Sequence, residues 1–163
     1  MSDGQTDAHA DNVSVETSDG IGVQELSAAA LAGFAGLVAM APVFVVAWLL
    51  DALELSSFTA LSEIVALGEN SLIGVALFVA GGVVTFPLLF VSLAVFLPGR
   101  SVAEKGVSFG IIVWTGFLIA FYSAQTGATF AAYLVLTLLA HAVYGGVLGA
   151  VYGRFADVPV YQV

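Results

Sequence analysis

A chain of 163 residues with 60% hydrophobic and only 9% charged residues departs far from soluble proteins, in which charged residues make up about 25%. Twelve Asp and Glu stand against three Lys and Arg, a net charge of −9, and so few cations argue against nucleic-acid binding. Cysteine is absent, which excludes disulfides, thiolate metal sites and cysteine nucleophiles.

Residues 1–24 carry Asp3, Asp7, Asp11, Glu16 and Asp19 and show no apolar period. They read as a disordered acidic tail, and without a basic segment ahead of an apolar one they do not read as a signal peptide. His9 lies here without partners at ligand spacing and reads as solvated. A transmembrane domain is expected over residues 25–155, followed by a short C-terminal tail over 156–163.

The first span is expected from Ser27 to Leu50, uncharged throughout and long enough to cross a hydrocarbon core of about 30 Å. Pro42 predicts a kink, and Trp48 suits an interfacial anchor. Beyond it, Phe58, Leu61, Ile64 and Val65 share a face and Gly68 offers a stop. This predicts a short amphipathic helix, lying at the membrane surface or packed as a cap on the bundle. Its neighbours Asp51, Glu54, Glu63 and Glu69 lack the spacing of a calcium loop and read as a solvated acidic face. The acidity as a whole has two readings, a halophile's solvation strategy or an acidic tail on an ordinary membrane protein. Acidic residues outside the tail favour the first.

The second span is expected from Leu72 to Leu97, thinned by Gly81 and Gly82 and bent at Pro87. Leu97-Pro98-Gly99-Arg100 stops it. The third is expected from Val107 to Ala124, and Gln125-Thr126-Gly127 turns the chain tightly into a fourth from Ala128 to Tyr152. The fold class is therefore all-α, a polytopic membrane protein of four transmembrane helices with a short amphipathic helix between the first two. Four spans put both termini on one side. Arg100, Lys105 and Arg154 then fall there together, which makes that side cytoplasmic by the positive-inside rule.

Two features single themselves out. Gly145, Gly149 and Gly153 are four apart and form a helix-packing strip. Its partner is another helix of this chain, or a second copy or larger membrane complex. His141 is the only ionisable residue well inside a span, near the midplane with Thr85 and Thr115 at similar depth. In one reading it is a neutral histidine bonded to Thr85 or Thr115; in the other it is a proton relay or an axial haem ligand. Tyr144 and Tyr152 read as packing and interface anchors. No phosphate-binding loop, GxSxG, HExxH or intramembrane carboxylate pair is present. Neither an enzyme nor a cofactor or metal site is expected. Partners would be the lipid bilayer and a homo-oligomer or larger complex. A small oligomeric transporter or channel with a midplane polar path stands as the alternative. A faint two-plus-two repeat rests on Gly81-Gly82 and Gly145-Gly146.

Lys105-Gly106-Val107-Ser108-Phe109-Gly110, Leu97-Pro98-Gly99 and His141-Ala142-Val143-Tyr144-Gly145-Gly146-Val147-Leu148-Gly149 resemble a family of uncharacterised small membrane proteins of halophilic archaea, over most of residues 26–154. The resemblance implies four helices with a short outer helix after the first span. Some members are associated with respiratory terminal oxidases, so it also implies an accessory role of that kind.

Overall fold

The computed structural model describes residues 23–156. The expected acidic tail, apart from Val23 and Gln24, lies outside the described residues with His9, as does the C-terminal tail beyond Ala156. The described chain is helical without strands: α1 (Val23–Leu49), a 3₁₀ turn (Leu55–Phe58) leading into α2 (Thr59–Ile64), α3 (Ser71–Ala80), a π-helical turn (Gly81–Thr85), α4 (Phe86–Leu93), α5 (Val102–Ala120) and α6 (Gly127–Tyr152). Four segments are long and apolar enough to cross a membrane: α1, the continuous second span Ser71–Leu93, α5 and α6.

Helix ends follow local chemistry. α1 takes in Val23 and Gln24 and runs unbroken through Pro42. It ends in a Schellman motif, with Asp51 at φ 53° and Ala52 N–H donating to the Ala47 carbonyl. α2 ends likewise at Ala66, φ 60°, with Leu67 N–H on the Ser62 carbonyl. The stop therefore falls ahead of Gly68. The Asn70 side chain caps α3, and Ser101 caps α5 by accepting from Glu104 N–H. The second span ends at Leu93 and α5 begins at Val102, each several residues earlier than expected. Three turn residues continue the second span to Phe96, and the Ser101 cap admits five further residues to α5. The turn into α6 is longer than the expected tripeptide, running from Phe121 to Thr126.

The short helix expected between the first two spans is present as α2. Phe58 is buried, but Ile64 and Val65 are 74% and 47% exposed. The inward residue is Ser62, whose hydroxyl lies 2.6 Å from the Gly68 carbonyl and accepts from Asn70 N–H. A polar knot holds this segment closed. Gly74 receives it, since a Cβ there would stand 1.8 Å from the Phe58 carbonyl oxygen.

The spans form a row with α6 at its centre. α5 and α1 pack on α6 from either side, and the second span packs on α1 through the π turn and α4. Burial follows this order: 39% of the α6 membrane segment is buried and only 17% of the second span. α5 and the second span meet mainly through side chains. Phe90 contacts Phe109, Phe78 contacts Phe117 and Phe121, and Lys105 Nζ donates to the Ala94 carbonyl at 2.8 Å. That last bond places a cation at the C-terminus of the second span, where it also favours the helix dipole.

The closest approach is between α5 and α6. A Cβ on Gly106 would stand 2.0 Å from the Gly145 carbonyl oxygen, and one on Gly110 would stand 2.1 Å from that of His141. Overpacking at such a contact costs about 1–3 kcal/mol or more. Gly106→Ala and Gly145→Ala are expected to lower thermal stability in detergent sharply. Gly116→Ala, which meets nothing within 4 Å, is expected to leave the melting temperature unchanged or raised. Equal melting of all three variants would contradict backbone contact at this crossing.

Candidate functional site

The strip singled out in the sequence meets another helix of this chain. Gly145 faces Gly106 and Gly110, and Gly149 faces the Val102 carbonyl. Gly153 differs from the other two. It is exposed, sits beyond the last helical residue, and a Cβ there would meet the Val102 side chain at 3.0 Å. The two Gly-Gly pairs also differ: Gly81-Gly82 opens the π turn, whereas Gly145-Gly146 lies in regular α-helix.

The π turn explains the rest of the centre. Phe86 N–H donates to the Gly81 carbonyl, one residue further back than in an α-helix. The residue that would serve the Gly82 carbonyl in the same pattern is Pro87, which has no N–H. The freed carbonyl accepts the Tyr144 hydroxyl at 2.7 Å, from the middle of α6. α1 threads between them: a Cβ on Gly33 would stand 2.3 Å from Pro87 Cγ, and one on Gly36 would stand 2.8 Å from the Tyr144 ring. Tyr144 is 3% exposed, and its hydroxyl is satisfied by backbone of another span. Reading Tyr144 as a packing anchor missed this bond. The signal was available in Pro87, five residues after Gly82, in a segment where lipid supplies no donor.

His141 is buried, but its partner is neither Thr85 nor Thr115. Its Nδ1 lies 2.8 Å from the carbonyl oxygen of Thr137, one turn earlier on the same helix. Thr137 Oγ1 in turn accepts from Trp114 Nε1 at 3.0 Å and donates to the Tyr133 carbonyl at 2.6 Å. The Phe117 ring stands 4.7 Å from the imidazole and the Phe44 ring 6.1 Å. Thr115 donates to the Ile112 carbonyl and is exposed, as is Thr85. A midplane Thr–His hydrogen-bonded cluster is therefore not formed. The three residues instead line one groove of about 550 Å³ between the second span and α5, where Phe78, Gly81, Phe86, Gly116, Phe117 and Phe121 complete its central walls. α2 borders its far end with Leu61, Ile64 and Val65. A second groove of about 440 Å³ lies between α1 and α3.

Among the described residues no group of three or more His, Cys, Asp or Glu side chains is placed to hold a metal ion. The Tyr133 hydroxyl is completely enclosed and has no hydrogen-bond partner. It lies in an apolar cluster with Ala47, Leu53, Phe58, Phe117 and Phe121.

The model of a family of unknown function (DUF6789) matches residues 23–163, and the chain belongs to that family. No curated protein and no solved structure matches it.

Two tyrosines give opposite expectations. Tyr144→Phe leaves the Gly82 carbonyl unpaired and should destabilise the fold by about 1–3 kcal/mol. Tyr133→Phe removes a hydroxyl that has no partner and should be neutral or stabilising. Thermal unfolding of both variants in one detergent checks the pair, and equal destabilisation would contradict the assignment.

Proposed function

We propose that the protein is a structural or accessory subunit of a larger membrane complex, not itself an enzyme, and that both termini face the cytoplasm. The observation that carries this reading is the open side of the helix row. The second span and α5 are bridged by aromatic side chains and leave a long lateral groove. Arg100, Lys105 and Arg154 lie at the end of the row that carries the termini, which supports the orientation. The resemblance to halophile membrane proteins, some linked to terminal oxidases, supports a respiratory complex as the host, and the net charge of −9 is in keeping with a high-salt environment.

A small oligomeric transporter is a second reading. It draws on Thr85 and Thr115, both exposed and both lining the groove that reaches His141. Two copies facing across it would join these hydroxyls into one polar path.

The chain has no cysteine, so an introduced thiol is unique. Cysteine at Ile112, on the groove, is expected to crosslink to a different polypeptide in native membranes, whereas cysteine at Phe34, on the exposed face of α1, is not. Crosslinking only to a second copy of the chain would favour the transporter. A preparation that stays monomeric in mild detergent, with neither site crosslinking, would overturn both readings.

A further inference from the structure

The imidazole of His141 restricts what the groove between the second span and α5 can hold. Its Nδ1 sits 2.8 Å from a carbonyl oxygen, which can only accept, so Nδ1 carries the proton. In the neutral ring Nε2 is then a bare acceptor, and it has no hydrogen-bond partner among the described residues. The side chain is 2% exposed and lines the groove floor. Thr115 at the wall spends its own proton on the Ile112 carbonyl at 2.7 Å, and its oxygen is likewise left to accept. Two polar points at the groove's midplane, His141 Nε2 and Thr115 Oγ1, therefore call for a donor in a setting without water, while the Thr85 hydroxyl can donate or accept.

The apolar walls set the rest of the ligand. Phe78, Phe86, Phe117 and Phe121 supply ring faces and edges, while Gly81 and Gly116 leave flat backbone. Such walls suit a planar ring. The groove continues along Leu61, Ile64, Leu77 and Leu89, which suits a hydrocarbon chain. We propose that this groove binds a lipid-soluble molecule with a hydroxylated planar ring, of the phenol or hydroquinone class, whose hydroxyl donates to His141 Nε2. This goes beyond the accessory role and does not depend on it.

The donor requirement makes the proposal sharp. A decyl hydroquinone should bind, and its dimethyl ether, identical in shape at the ring but without a donor, should bind about tenfold more weakly or worse. The oxidised quinone, with carbonyls only, should behave like the ether. Binding is read from the imidazole ¹⁵N spectrum of histidine-labelled full-length protein, in micelles of a detergent that has no hydroxyl groups. The expected result is a saturable shift of His141 Nε2 with the hydroquinone alone. Gly116→Leu should abolish it by filling the groove, from a position where an added Cβ meets nothing within 4 Å. A shift of equal size with the ether, no shift with any probe, or an undiminished response in a folded Gly116→Leu protein would each overturn the proposal. In the first case the groove accepts apolar chains without recognising a donor, and in the second it binds none of these probes.

Discussion

The hydrogen bond from Tyr144 to the Gly82 carbonyl is the constraint on which the arrangement of the spans depends. Within a bilayer a backbone carbonyl has no water to turn to, so a turn that frees one must be matched by a donor from another helix. Here the π turn and Pro87 together free the Gly82 carbonyl, and Tyr144 supplies the donor. The bond spans α1, which lies between its two ends. That is tolerable because Gly33 and Gly36 remove the side chains that would otherwise fill the space beside Pro87 and the tyrosine ring. Three helices are thus placed by one polar contact and two glycines.

The π turn also marks where the second span changes partners. From the turn onward the span lies against α1, through the π turn and α4. Before it, α3 packs on the 3₁₀ turn and α2 instead, with Gly74 set against the Phe58 backbone. α3 flanks the groove toward α1, whereas the groove toward α5 extends past the π turn along Gly81, Thr85, Phe86 and Leu89. The π turn thus lies on the wall of that second groove, and π turns inside helices are often found at functional sites.

Much of this was legible in the sequence and some was not. Long uncharged runs bound the four spans to within a few residues, because membrane crossing demands length and apolarity before anything else. Periodicity located α2 between the first two spans, but it gave no sign of the Ser62 bonds that tie the helix to the start of α3. The glycine strip showed that a close contact exists, but its partner could not be read, since Gly106 and Gly110 lie on the preceding helix and are small for the same reason. For His141, depth arithmetic placed Thr85 and Thr115 beside it, and they do line the same groove. Depth does not tell which way a side chain faces, and the imidazole found a carbonyl on its own helix.

That choice of partner matters more than the distance involved. Had His141 bonded a threonine hydroxyl, that nitrogen could have donated or accepted, and the tautomer would have stayed open. A carbonyl partner removes the ambiguity by fixing the proton on Nδ1 and leaving Nε2 as an acceptor near the midplane. The Thr137 carbonyl is held in place by its helix, whose neighbouring turn is tied to Trp114 through the Thr137 hydroxyl. The ring is flanked by Phe117 and Phe44, which restrict its rotation. An acceptor whose ring is restrained beside an apolar groove is what the proposed recognition of a hydroxyl donor requires, whereas a freely rotating histidine in the same place would serve packing alone.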